Sequence, residues 1–284
     1  MITKTLAYVA IALMSARTAT YARQTSGPPQ TVVVTSGSLS LRALCWRPSG
    51  SGPFPAILFN HGSSGADDPL PPDAADALGP VFARHGYIFL FLFRQGIGLS
   101  AGQGTADGDR MAGALAAEGQ EGRNRVQLQL LETDELNEAL AGLATLRAVR
   151  DVDAGRIGVV GHSFGGSLSL RLAAQDARIR AVVVFGAAAN SWEPSAALRA
   201  RLLDDAARLS APVFFIHAAN DYSIAPGEAM AAEMARREKR HRLKIYPAVG
   251  STARDGHNLI YRSVTTWETD VFDFLDSLLK RRAG

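Results

Sequence analysis

The chain has 284 residues, 47% of them hydrophobic and 20% charged, with no repeat and no long low-complexity tract, which suits one large α/β core and excludes a disordered or solenoid chain. The formal charge is +3, and two of the positive charges, Lys4 and Arg17, lie within residues 1–22, so the high pI does not point to a nucleic-acid partner. Cys45 stands alone, which excludes an internal disulfide, and the histidines form no H-x-x-x-H pair, so neither a metal nor another cofactor is expected.

The first 22 residues read as a secretory signal peptide. Lys4 gives a positive start, Leu6 to Met14 is a short apolar run, and Thr20-Tyr21-Ala22 supplies small residues where a signal peptidase reads them. The run is too short to span a bilayer, and no other stretch approaches that length, so the mature chain is expected to be periplasmic or secreted with no integral membrane span. Residues 23–30 read as a linker, and residues 31–284 as a single domain. Thr31–Thr35 and Leu39–Trp46 flank a Ser/Gly turn and form an expected antiparallel hairpin, with Cys45 a small buried apolar residue within it. Pro55–Asn60 reads as a buried strand, Asp73–His85 as an amphipathic helix stopped by Gly86, and Tyr87–Phe93 as a strand apolar on both faces. Glycine recurs through residues 95–124, which read as a long loop or lid with at most a short helix near Met111–Glu118. Val126–Val149 has helical apolar spacing, and Asp151–Gly155 reads as a turn.

Beyond this turn, Ile157–Val160 is a strand pattern, Gly161-His162-Ser163-Phe164-Gly165 a G-x-S-x-G pentapeptide, and Gly166–Ala174 a helix pattern. Strand, sharp turn and helix are what a nucleophile elbow requires, so Ser163 is the candidate nucleophile. A second match, Gly98-Leu99-Ser100-Ala101-Gly102, has no helix starting on its serine and reads as loop. Strands follow at Ala181–Phe185, Pro212–His217 and Arg242–Tyr246. Helices follow at Ala196–Leu209, Pro226–Arg240 and Thr266–Arg281. The basic clusters at 236–240 and 280–282 close two of these helices and complement their dipoles. Alternating strands and helices behind a hairpin imply a mostly parallel sheet of about eight strands covered on both faces, with its chemistry at the carboxyl ends of the strands.

A serine hydroxyl needs a base, and the base needs an acid to fix its tautomer. His257, in a Gly-flanked loop before the last helix, is the expected base. Asp221, just past the Pro212–His217 strand, is the expected acid, with Glu193 as runner-up. The backbone N–H groups of Ser63 and Phe164 are the expected oxyanion donors. Trp192 and Tyr222 follow strand ends and are candidates to line the pocket. Arg94 either steers an acidic substrate group or pins its loop.

From about residue 30 onward the chain resembles the α/β-hydrolases, close to the dienelactone hydrolase-like branch. The resemblance rests on F-N-H-G-S-S-G at 59–65, F-R-Q-G-I-G-L-S-A-G at 93–102, G-H-S-F-G-G at 161–166, A-N-D-Y-S-I-A-P at 219–226 and G-H-N at 256–258. The order Ser163, Asp221, His257 is that of an α/β-hydrolase. Dienelactone hydrolase itself carries a cysteine nucleophile, whereas the elbow here carries Ser163. The resemblance implies a serine hydrolase that cleaves a small-molecule or polymeric carboxylic ester through an acyl-enzyme. A peptidase or amidase using the same triad, or a non-catalytic ligand-binding relative, is the alternative.

Overall fold

A computed structural model describes residues 27–280. The expected signal peptide and the first part of the linker lie outside these residues. The fold is built on one eight-stranded sheet in the order β1-β2-β4-β3-β5-β6-β7-β8. The strands are β1 (Gln30–Ser36), β2 (Leu39–Trp46), β3 (Phe54–Asn60), β4 (Ile88–Phe93), β5 (Val152–His162), β6 (Ala181–Phe185), β7 (Val213–Ala218) and β8 (His241–Tyr246). β2 runs antiparallel to both β1 and β4, and every other pairing is parallel.

Successive side chains of a strand face opposite sides of the sheet, and here each side meets its own apolar layer. Ile88, Leu90 and Leu92 of β4 face one core, and Phe89, Phe91 and Phe93 face the other. The first core is closed by helices α2 (Asp107–Glu132), α3 (Asp134–Ala148), α4 (Phe164–Gln175), α5 (Ala196–Arg208) and α6 (Ala225–Arg236). The second is closed by α1 (Ala74–Arg84) and α9 (Val264–Leu279), whose Phe82, Trp267 and Phe272 pack among the strand aromatics. Burial on both faces explains why the central strands read as continuous apolar runs. Cys45 is buried in the first core, as its strand pattern implied.

Four local readings are corrected. Residues 95–124 are not one loop. A single 3₁₀ turn at Gly98–Ser100 is followed by α2, which starts at Asp107. Glycines at 108, 113, 119 and 122 lower the intrinsic helix propensity, and tertiary bonds override it. Asp107 Oδ1 accepts from Ser64 N at 2.9 Å, Asp109 Oδ1 accepts from Ala66 N at 2.8 Å, and Gly108 N donates to Ser64 O at 2.9 Å. Gly119, at φ 69° and ψ −163°, kinks α2 and divides it into two helical segments. Next, the expected Val126–Val149 helix is divided at Thr133, whose φ of −126° and ψ of −96° separate α2 from α3. Finally, β5 begins at Val152, within the expected turn, and the expected loop that carries His257 holds a short helix, α7 (Ala253–His257). Thr252 and Asp255 form a capping box at its start, and α8 (Leu259–Arg262) follows it.

Candidate active site

Ser163 sits between β5 and α4 at φ 54° and ψ −120°, a backbone region that a residue with a side chain adopts only when its surroundings force it. The forcing is visible. Ser163 N donates to Phe185 O of β6 at 2.8 Å, while Ser163 O accepts from Gly166 N and Ser167 N in the first turn of α4. The flanking glycines are required by contact. A Cβ on Gly165 would lie 2.1 Å from the carbonyl oxygens of Asn60 and His61, and one on Gly161 would lie 2.1 Å from Gly165 O.

The structure brings Ser163, His257 and Asp221 together. Ser163 Oγ lies 2.8 Å from His257 Nε2, and His257 Nδ1 lies 2.7 Å from Asp221 Oδ1. Asp221 Oδ1 also accepts from Tyr222 N at 2.8 Å, and Oδ2 lies 2.8 Å from His217 Nδ1. Burial opposes charge on Asp221, but hydrogen bonds from His217 and His257 outweigh it and hold the carboxyl well below the usual carboxylate range. An ionised carboxylate only accepts, so Nδ1 of His257 carries the proton and Nε2 is free to accept Ser163 Oγ–H. His162, next to the serine in sequence, turns the other way. Its Nε2 donates to His257 O at 2.9 Å, and burial together with the neighbouring His257 pushes its pKa down to about 3, so it acts as a neutral strut for the His257 backbone.

The loop after β3 is held from beneath by Arg94, at the end of β4. The arginine is fully buried, pairs with Asp107 at 3.1 Å and with Glu135, and donates to His61 O at 2.8 Å and Gly62 O at 3.1 Å. In a trans peptide the C=O and the following N–H point in opposite directions. Drawing Gly62 O towards Arg94 therefore turns Ser63 N–H away from it, to the side where Ser63 lines the cleft over Ser163. Phe164, the first residue of α4, lines the same cleft, and its N–H is one that a helix leaves without an intrahelical partner.

That cleft holds about 110 Å³ and is rimmed by Arg123, Asn190, Ser191, Tyr222 and the Asp68–Arg254 ion pair. Tyr222 is 45% exposed, with its ring edge-on to His257 at 5.1 Å. A larger apolar groove of about 660 Å³ lies across the Pro69–Pro71 segment and does not reach Ser163. Two of the candidate pocket residues are elsewhere. Trp192 is buried in the first core, with its carbonyl held by Arg199. Arg94 is sealed beneath the loop and faces no cleft. Glu193 is exposed, apart from the triad. Ser100, in the second G-x-S-x-G, is buried, donates to Phe93 O at 2.7 Å and accepts from Arg42 N at 2.9 Å, which ties β2 to the end of β4. His217, Asp107, Glu135 and Arg123 carry roles or positions that the motifs did not reveal. Of these only His217 had a visible signal, its four-residue spacing from Asp221. Among the described residues no cluster of His, Cys, Asp and Glu could hold a metal, and no helix is long and apolar enough to cross a membrane.

Residues 41–270 match the profile of the dienelactone hydrolase family. The chain belongs to that family. Its members are hydrolases, and the open, mostly parallel sheet described above is that of an α/β-hydrolase. A search of curated protein sequences finds no match. Among solved structures the chain is similar to the Pyrococcus horikoshii acylaminoacyl peptidase (TM-score 0.62, 17% identity), covering 92% of this chain and 43% of that one. A dienelactone hydrolase-like promiscuous phosphotriesterase from metagenomic libraries gives a TM-score of 0.60 at 19% identity, covering 89% of this chain and 99% of that one. A puromycin-hydrolysing peptidase of Mycobacterium tuberculosis gives 0.62 at 16%, covering 96% and 42%. This chain therefore spans less than half of either peptidase and nearly the whole of the phosphotriesterase. At these identities the likeness is one of fold.

Proposed function

We propose that this dienelactone hydrolase family member is a serine hydrolase of carboxylic esters, with Ser163 as nucleophile, His257 as base and Asp221 as the acid that orients the base. The observation that carries the reading is the continuous relay from Ser163 Oγ through the His257 ring to Asp221 Oδ1, at 2.8 and 2.7 Å, on a serine held at positive φ. Ser163 Oγ attacks the ester carbonyl carbon while its proton passes to His257 Nε2. The carbonyl oxygen, now negative, is met by the N–H groups of Ser63 and Phe164. The C–O bond to the alcohol breaks, and Nε2–H protonates the departing oxygen. Water then repeats the sequence on the acyl-serine, giving up its proton to Nε2 and releasing the acid.

The test is a fluorophosphonate probe read by intact mass and peptide mapping, together with Ser163→Ala on a p-nitrophenyl ester. A single adduct on Ser163 that is lost on unfolding, with kcat reduced by up to about 10⁶-fold in the variant, is expected. Wild-type turnover by Ser163→Ala, or an adduct on Ser100, would remove the assignment. Peptide or amide cleavage would use the same groups, and matched ester and amide substrates on one chromophore separate it from ester cleavage.

A further inference from the structure

His217 lies on β7 four residues before Asp221, with its side chain 1% exposed and outside the lining of the cleft. The Asp221 carboxylate is shared between two imidazoles. His257 Nδ1 meets Oδ1 at 2.7 Å, and His217 Nδ1 meets Oδ2 at 2.8 Å. The ring is closed in by α6, because a Cβ on Gly227 would come within 2.7 Å of His217 Cδ2 and Nε2. Oδ2 itself lies against Gly186, just past the end of β6, where an added Cβ would lie 3.0 Å from it. No other hydrogen bond from the described residues reaches Oδ2. Without His217, a buried carboxylate oxygen would lose its donor, and the carboxyl would be free to rotate about its last torsion or to take up a proton. Either change removes the acceptor that keeps the proton on His257 Nδ1.

Resting on the serine-hydrolase reading above, we propose that His217 is a positioning residue for that reaction. Its Nδ1–H fixes Asp221 Oδ2, so that Oδ1 is presented to His257 in a single orientation, with the negative charge retained. His217 touches neither substrate nor Ser163 and moves no proton in the reaction. It acts through Asp221 alone. The signal in the sequence is an H-x-x-x-D spacing at the end of a buried strand, His217 to Asp221.

The test compares His217→Phe, which keeps the bulk of the ring and deletes the donor, with His217→Asn, whose amide N–H can stand in for Nδ1–H. On p-nitrophenyl acetate the Phe variant is expected to lose about ten- to a hundredfold in kcat with KM within about twofold, and the Asn variant to recover most of the loss. Wild-type kcat in the Phe variant would overturn the proposal, as would equal losses in both variants, which would assign the effect to packing. Nitrogen-15 NMR of histidine-labelled wild-type protein reads the same point without relying on a folded variant or on turnover. A protonated His217 Nδ1 is expected, and a bare Nδ1 would overturn the proposal. The NMR result does not depend on the substrate, so a failure here is distinguishable from failure of the ester-hydrolase reading, which the Ser163→Ala variant reports.

Discussion

Gly186 offers a sharp test of how closely the catalytic relay is fitted to its support. It lies just past β6 at φ +58°, directly under the His257–Asp221 pair. A methyl group there would sit 2.9 Å from His257 Nδ1 and 3.0 Å from Asp221 Oδ2. Ordinary contacts start near 3.5 Å, so the pair would have to retreat by roughly half an ångström. The left-handed backbone adds about 1 kcal/mol of strain to any alanine at this position. Gly37, in the β1–β2 turn, provides the control. Its φ is +57°, and a Cβ there would meet none of the described residues within 4 Å. Gly37→Ala should therefore show the strain alone, a fall in Tm of about 2–4 °C for a domain of this size, with kcat unchanged. Gly186→Ala should lose more in Tm and, because small misplacements of reacting groups are costly, about ten- to a hundredfold in kcat. The assay is steady-state hydrolysis of p-nitrophenyl acetate beside calorimetry on the same preparations. If Gly186→Ala matches Gly37→Ala in Tm and keeps wild-type kcat, the contact argument is wrong.

The other predictions concern the buried cluster and the cleft. Arg94→Met would leave the Asp107 carboxylate without its cation and Glu135 without its donor, and denaturant titration should show a loss of about 3–5 kcal/mol; a loss below about 1 kcal/mol would mean that Asp107 is not held as a buried ion pair. Burial, against the pull of Arg94, raises Glu135 to about 8, and burial raises Glu138 to about 7. The folded state then holds protons that an unfolded glutamate releases above about pH 4.3, so this contribution is complete in acid and is lost as pH rises through 7 to 8. Tm should fall from pH 5 to pH 9 more steeply in wild type than in Glu135→Gln, and parallel curves would refute the assignment. The cleft at Ser163 holds about 110 Å³, below the roughly 300 Å³ of a pocket for a drug-sized ligand, so acetyl and propionyl esters should outpace octanoyl esters in kcat/KM. Faster octanoyl turnover would send the acyl chain to the 660 Å³ groove beyond Pro69–Pro71.

The central strands and the placement of the elbow were legible because burial on both sheet faces writes itself into runs such as Ile88–Phe93 and Ile157–Val160, and because glycine at 161 and 165 answers contacts that nothing larger fits. The two G-x-S-x-G matches could be told apart for a physical reason. Ser163 has a helix starting behind it, whereas Ser100 stands on a short turn that spends its hydroxyl on Phe93 O. The start of α2 was not legible, since its glycines argue against a helix while the bonds that support it come from Ser64 to Ala66, far away in sequence. Trp192 misled because an aromatic after a strand end can turn to the cleft or to the core, and the bonds from Arg199 to the carbonyls of Trp192 and Glu193 belong to the inward turn.

Arg94 shows why a charge at the carboxyl end of a strand is ambiguous in sequence. Such a residue can meet a substrate or hold the loop that meets it, and here three carboxylates decide. Asp107, Glu135 and Glu138 surround one guanidinium, and the Oε1 atoms of both glutamates have no hydrogen-bond partner among the described residues. A cluster with this surplus of buried acid is a poor device for stability alone, because well-packed apolar side chains would serve the core as well. What apolar residues could not do is hold the carbonyls of His61 and Gly62 on one side, and so turn the next N–H to the other. An oxyanion donor is effective only if it is already aimed when charge develops. The loop that carries Ser63 has no helix or strand to aim it, and the buried arginine with its acids supplies the rigidity that the backbone there lacks.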